Sequence, residues 1–338
     1  MKVLITGSAG FIGYHLAQNL LRQSIDVIGL DNVSDYYNPS LKEARLTKLG
    51  GYPGFTFHRF DMADKDRVAA LFKKERPTHV VNLAAQAGVR YSLEQPFTYT
   101  HSNIEGFLSI LEACRAFPVE HLVFASTSSI YGATKDMPYR EEKGAEHPLT
   151  LYAATKKADE MMAHNYAHLF NIPCTAVRFF TVYGPWGRPD MALFIFTRAI
   201  MENRPLPLFN GGNLKRDFTF VGDVAEGLTR LLPLPPSIDS SWDPKIANPS
   251  SSGVAPYRVL NLGRGKSEPL MRFVEVLEDK LGKKAEIDAL PMQSGDVEET
   301  WADTTRMREL TGFEPKTDID EGVGRFVDWY LDYYNINR

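Results

Sequence analysis

Cysteine is nearly missing from this chain. Only Cys114 and Cys174 occur in 338 residues, each inside an apolar stretch and neither at a spacing that suits a metal. That excludes a disulfide-stapled scaffold and predicts buried thiols in a reducing cytoplasm. Long apolar runs are missing too, and a membrane-spanning helix needs about 18 or more such residues in succession. The start MKVLITGSAGFIGYHLAQNLL resembles a signal peptide, but Gly7, Gly10 and Gly13 break its apolar run. No membrane partner is expected. Nor is there an excess of positive charge: 38 Lys and Arg against 42 Asp and Glu give −4. A general nucleic-acid binder normally shows a basic balance, so none is expected, although a local basic pocket for a small anion remains open. Metal motifs are absent as well. Glu160, His164 and His168 share a helical face without H-E-x-x-H spacing or a Cys partner, and read as a solvated face.

What is present is the composition of a globular protein, 43% hydrophobic and 24% charged, long enough for one large or two smaller domains. The first half alternates short apolar runs with helical patterns. KVLITG, DVIGLD, FTFHRFD, THVVNLAA, HLVFAST and CTAVRFF read as six buried strands. FIGYHLAQNLLRQ and the regions 64–75, 103–116 and 151–170 read as helices between them. The order predicts an α/β fold with a doubly wound parallel sheet covered on both faces. The second half is less regular. DFTFVGDVAEGLTRLL looks like a strand end and a helix, YRVLNLG like one more strand, and SEPLMRFVEVLEDKLG and DEGVGRFVDWYLDYYN like helices. The Pro- and Ser-rich segment 233–256 is too long for an ordinary connection and reads as a surface excursion.

TGSAGFIG places Gly7, Gly10 and Gly13 directly after the first strand and at a helix start, with Phe11 and Ile12 between. In that context the glycines have a mechanism. One permits the turn, one lets a pyrophosphate approach the backbone, and one packs helix on sheet. Asp31 ends the second strand, where a carboxylate accepts from both ribose hydroxyls and repels a 2′-phosphate. No Arg follows within ten residues, which favours NAD over NADP. Asn32, Asp61 and Met62 end neighbouring strands; Asp61 suits an adenine edge or a helix cap. NLAAQAG ends the fourth strand in small residues, among them Ala84 and Ala85 with Gln86 beside them, which suits either close approach of a flat group or packing.

In LYAATKKADE, Tyr152 and Lys156 stand four apart, on one face of a helix. A phenol is ordinarily a poor base at neutral pH, and a cation one turn away favours its anion. Following a dinucleotide fold, the pair reads as an acid–base group with its helper.

Gly7-x-x-Gly10-x-x-Gly13, STSSIYG (126–132) and Tyr152-x-x-x-Lys156 resemble the extended short-chain dehydrogenase/reductase family. The longer runs DNVSDYYNPSLKEARL, NLAAQAGVRYS, YAATKKADEMMAHNYAHLF and RFFTVYGPWGRPDMALFIF are similar to its UDP-glucuronate 4-epimerases. The resemblance implies a Rossmann-type domain over 1–180, regained around 215–265, and a smaller α/β nucleotide-sugar domain over 181–338. It implies that Tyr152 takes the 4-hydroxyl proton as hydride leaves C4 for tightly bound NAD, and that the 4-keto sugar turns over before hydride returns. Thr127 would bond the reacting oxygen. Ser128, Ser129 and Thr181 would hold the sugar carboxylate, Arg188 and Arg216 the diphosphate, and Arg90 a further substrate group. Asn103, Ser126 and Phe179 would line the cofactor site. Met191, Phe194 and Phe196 suit core or a uracil slot.

Glucose-type epimerases of the family usually carry Asn at the place of Thr181. Its dehydratases place Asp-Glu where Ser128 and Ser129 stand, and hydroxyls cannot do that acid–base work near neutral pH. The alternatives are a UDP-glucose/UDP-galactose 4-epimerase, a UDP-glucuronate decarboxylase, or a non-catalytic NAD sensor, which has no use for Tyr152 with Lys156. A homodimer is implied through the helices near 103–116 and 151–170, with Phe107, Leu111, Met161 and Leu169 as candidates.

Overall fold

The computed structural model describes all residues except 247, 294, 337 and 338. The six expected strands are β1 (Lys2–Thr6), β2 (Asp26–Asp31), β3 (Phe55–Arg59), β4 (His79–Asn82), β5 (His121–Thr127) and β6 (Cys174–Phe179). All pair in parallel, and a seventh, β11 (Tyr257–Leu262), joins β6, giving the order β11-β6-β5-β4-β1-β2-β3. Strands covered on both faces need no alternation, and His79–Asn82 and Cys174–Phe179 are buried at every position.

Helices α1 (Phe11–Arg22) and α2 (Ser40–Gly50) cover one face of the sheet, together with α9 (Val221–Leu231). On the other lie α3 (Lys65–Glu75), α6 (Gly106–Ala116) and α7 (Leu151–Phe170). The short turns α4 (Tyr91–Glu94) and α5 (Pro96–Tyr99) lead through a wide helical stretch, Thr100–Glu105, into α6. Chain order reverses between β1 and β4, so their loops diverge and leave a crevice at the carboxyl ends of the strands. Side chains brace it: Thr6 Oγ1 donates to Asn82 Oδ1 (2.8 Å) and accepts from the Ala84 amide (3.1 Å).

The remaining lobe has its own core of Phe194, Phe218, Phe273, Phe326 and their neighbours. It is built from α8 (Ala192–Met201), α10 (Leu270–Leu281) and α12 (Ile319–Tyr333), with α11 (Thr305–Thr311) against α9. Its strands are short: β7 (Thr181–Tyr183) beside β10 (Phe218–Phe220), β8 (Leu206–Phe209) beside β13 (Ile287–Leu290), and β9 (Lys215–Arg216) between β12 (Glu268–Pro269) and β14 (Glu299–Thr300). Buried Asp217 ties these pieces to the large sheet, accepting from the amides of Arg264 (2.7 Å), Gly265 (2.9 Å) and Ala302 (3.1 Å).

The segment 233–256, whose residue 247 lies outside the described residues, runs over α7. His164 bonds Ser252 Oγ (2.9 Å) and His168 bonds the Val254 carbonyl (2.8 Å). The solvated-face reading holds for exposed His168 but not for Glu160, which is 3% exposed. Its carboxylate takes two bonds of 2.9 Å from Arg178 and one of 2.7 Å from Ser126. The partner comes from β6, so helix periodicity alone gave no sign of it.

Candidate active site

One cavity of about 1080 Å³ runs from the carboxyl ends of the central strands into the cleft before the second lobe. At its floor, Gly7 adopts φ +71°, and a Cβ there would lie 2.8 Å from the Ala84 amide nitrogen. A Cβ on Gly13 would lie 2.1 Å from the Gly7 carbonyl oxygen. Gly10 begins α1 with no side-chain cap, so the first helical amides face the cavity unclaimed by a neighbouring side chain. Phe11 and Ile12 complete this rim. Uncapped amides at a helix N-terminus, beside positions that admit no methyl group, fit a dinucleotide pyrophosphate.

Asp31 closes β2 at the cavity wall. Its two oxygens accept from the amides of Ala9 (3.0 Å) and Val33 (2.7 Å). Burial pushes its carboxyl above the usual range, while Lys42, these amides and Arg45 oppose the shift. Asn32 Nδ2 donates to Asp61 Oδ2 (2.9 Å), and Met62, Ala84, Ala85 and Gln86 extend the wall. Asp61 does not cap α3; Asp64 does, by accepting from the Arg67 amide. Asn103 is a correction. It lies behind the wall at 1% exposure, bonded to both backbone groups of Gln86 and to Thr155 Oγ1, so it braces the site rather than lining it.

Thr150 caps α7 through the Ala153 amide, which starts the helix just before Tyr152 and sets Tyr152 and Lys156 on the cavity side. Lys156, 1% exposed, donates to Asp159 Oδ2 at 2.6 Å. Burial pushes the Asp159 carboxyl up to about 6, with Lys156 holding it down. The Tyr99 ring meets Tyr152 edge-on at 6.1 Å between centroids. Thr127 ends β5, and its hydroxyl accepts from the Ser129 amide (3.2 Å). That bond folds the turn bearing Ser128 and Ser129, which line the cavity with Ser126, Phe179 and Thr181.

Three arginines stand at the far end. Arg188 Nε bonds Asp190 Oδ1 (3.0 Å), and its guanidinium lies 5.8 Å from the Tyr36 ring centre. Arg216 bonds the Glu298 carbonyl (3.1 Å), and Arg90 lies over the Phe209 ring (4.4 Å), 3.8 Å from Asp296. Met191 and Phe196 line the cavity, whereas Phe194, 3% exposed, belongs to the core. The sequence reading assigned no role to Lys42, Tyr36, Asp190 or Asp296, all of which line the cavity. Lys42 and Arg45 lie three apart on α2, a spacing that signals one helical face.

An anion cradle, a ribose-type acid, a phenol with a cation one turn away and a cluster of hydroxyls thus share one space. That set suits proton and hydride exchange at a carbinol carbon of a diphosphate-linked substrate. Residues 3–245 match the model of the NAD dependent epimerase/dehydratase family. The chain is 51% identical to Protein CapI of Staphylococcus aureus, covering 99% of both chains. It is 47% identical to a probable UDP-glucuronate 4-epimerase of Rhizobium meliloti, covering 99% of this chain and 98% of that one. Its structure resembles UDP-glucuronic acid 4-epimerase from Bacillus cereus in complex with UDP-glucuronic acid and NAD. The TM-score is 0.87 at 31% identity, over 99% of this chain and 100% of that one. The chain belongs to the NAD-dependent epimerase/dehydratase family.

Proposed function

We propose that this protein is an NAD-dependent UDP-glucuronate 4-epimerase, interconverting UDP-glucuronate and UDP-galacturonate. The observation that carries the reading is the single cavity in which Tyr152, Lys156 and Thr127 adjoin the glycine cradle on one side and Arg188 and Arg216 on the other. Full-length relatives that bear this activity's name support it. The large sheet with its glycine loop is the cofactor lobe, residues 1–180 with a return around 215–265, and the rest is mainly the nucleotide-sugar lobe.

NAD, when bound, supplies the acceptor and donor of hydride at C4. Gly7, Gly10 and Gly13 would hold its pyrophosphate and Asp31 its ribose. Tyr152 takes the 4-hydroxyl proton at its phenol oxygen and returns it. Lys156, with one of its three donors on Asp159, keeps two for a ribose hydroxyl and for favouring the phenolate. Thr127 bonds the reacting oxygen. Ser128, Ser129 and Thr181 take the substrate carboxylate, and Arg188, Arg216 and Arg90 take the diphosphate end. Oxidised at C4, a glucuronate is a β-keto acid, which loses carbon dioxide when its carboxyl bond aligns with the ketone π system. Directional hydroxyl donors prevent that alignment by geometry.

The free thiols Cys114 and Cys174, both buried, support a cytoplasmic site of action, and no described helix is long and apolar enough to cross a membrane. The outer faces of α6 and α7 support a homodimer.

The test is incubation of the purified protein with UDP-glucuronate, followed by proton NMR without added cofactor. UDP-galacturonate should form without carbon dioxide, and Tyr152→Phe should slow it by about 10²–10⁴-fold. A UDP-pentose product, or inertness beside turnover of UDP-glucose, overturns the reading.

A further inference from the structure

Arg45 is fully buried on α2, and every acceptor around it is neutral. One terminal nitrogen donates to the Ala9 carbonyl (2.7 Å) and the Tyr37 hydroxyl (2.9 Å). The other donates to the carbonyls of Trp186 (2.6 Å) and Gly187 (3.3 Å). Among the described residues no carboxylate forms an ion pair with it. The molecule's other most deeply buried cations differ in this respect: Arg178 has Glu160 at 2.9 Å and Lys156 has Asp159 at 2.6 Å. Asp31 senses its charge without pairing with it, and a buried guanidinium bonded only to neutral groups is costly, so an anion arriving nearby would offset part of that cost.

Its bonds indicate where that anion binds. Ala9 sits in the glycine loop, and its amide goes to Asp31 while its carbonyl goes to Arg45. Gly187 immediately precedes Arg188, and Trp186 is held at φ +60°, a conformation that a bulky residue rarely adopts unless its surroundings impose it. A continuous chain of bonds therefore runs from Asp31 through Ala9, Arg45 and the 186–187 carbonyls to the segment bearing Arg188. It joins the two anion-binding ends of the cavity from beneath.

We propose that Arg45 is a positioning residue that couples these ends, so that a dinucleotide pyrophosphate at the glycine loop and a nucleoside diphosphate at Arg188 each tighten the other. The proposal rests on the nucleotide-sugar reading given above. Each anion offsets part of the same buried positive charge, and each orders a loop that Arg45 ties to the other. Such coupling is reciprocal, and couplings of this kind commonly lie between 5- and 150-fold.

The experiment is calorimetric titration of UDP into the protein stripped of its bound NAD, and into the same protein after NAD is restored to saturation. In the wild type, NAD should tighten UDP binding by about ten-fold. In Arg45→Met, which keeps the aliphatic stem and removes the charge, that ratio should fall to within about two-fold of unity. Arg45→Lys retains the charge but not the fork that spans both loops. It should also lose most of the coupling, and it carries the test if the Met variant does not fold. A general loss of stability lowers both affinities without moving their ratio. A wild-type ratio of one, or an unchanged ratio in both variants, overturns the proposal alone. Failure of UDP to bind the wild type at all overturns the nucleotide-sugar reading first, and the proposal with it.

Discussion

A methyl group on Gly13 would sit 2.1 Å from the Gly7 carbonyl oxygen and 3.1 Å from Ser8 Cα. Both obstacles are backbone, so relief requires the glycine loop or α1 to move. Overpacking of this kind costs about 1–3 kcal/mol, and here the displaced atoms are those that shape the pyrophosphate cradle. Gly13→Ala should therefore purify with little or no NAD and melt several degrees lower. Gly50, at the end of α2, is the control. Nothing lies within 4 Å of its Cβ position, and Gly50→Ala should be neutral or stabilising by up to about 1 kcal/mol. Thermal melts and cofactor content of both variants check the pair. The same residue scale shows what the sequence made legible. The glycine spacing, Asp31 and the Tyr152–Lys156 pair each carry a local signature, and all line the one cavity. Asp296 carries none, because Arg90 is brought close to it only by folding, and the spacing of Arg45 from Lys42 gives a helical face but not the distant carbonyls that Arg45 bonds.

Helix α7 works through both faces. Inward, Lys156, Asp159 and Glu160 are buried, and Glu160 meets β5 and β6 through Ser126 and Arg178. Outward, Met161 is 66% and Leu169 58% exposed, and on α6, which packs beside α7, Leu108 is 39% exposed. The four residues expected at a dimer interface divide accordingly. Phe107 and Leu111 are fully buried against the sheet, whereas Met161 and Leu169 remain outside. α6 has apolar residues on both flanks, and periodicity alone could not say which flank faces the sheet. An isologous pairing of the outer faces would cover the exposed residues in both copies. Sedimentation should therefore show a dimer for the wild type and a stable monomer for Met161→Glu/Leu169→Glu, with unchanged helical content. A monomeric wild type would dispose of the homodimer. The short strands of the second lobe were the least legible elements, since β9, β12 and β14 acquire their ladders from partners tens of residues away.

At the scale of the whole molecule, buried groups contribute to the response to acid in opposite directions, and four of them show it. Burial pushes His15 on α1 down to about 4 and His121 on β5 down to about 3. Their unfolded forms bind protons first, so stability is lost as pH falls below about 6.5. Burial pushes Glu141 up to about 7 and Asp159 up to about 6. For these the folded form binds protons first, so stability is gained as pH falls through the same values towards about 4. Gains and losses therefore oppose one another between about pH 6.5 and 4.5, where Asp31 and Asp217, also raised, and His79 and His164, also lowered, add to the two sides, and the melting temperature should be nearly flat there. Below about 4 the gains are exhausted and His121 still titrates. Glu160 then adds to the loss: burial works against its charge, but Arg178 beside it holds its carboxyl below the usual range. A steep fall should follow. Glu141→Gln tests the balance. Glu141 is 1% exposed and accepts from the Asn261 amide at 2.7 Å, a bond that the Gln carbonyl oxygen can keep. The gap between about 7 and the ordinary carboxyl value of 4.5 is worth roughly 3 kcal/mol, which the wild type forfeits once Glu141 ionises. The variant should therefore melt above the wild type at pH 8, and lose its advantage as pH falls to 4.5. With one gain removed, its own melting temperature should decline across the window where the wild type is flat. Parallel curves for the two proteins would show that Glu141 titrates alike in the folded and unfolded chain, and the balance would fail.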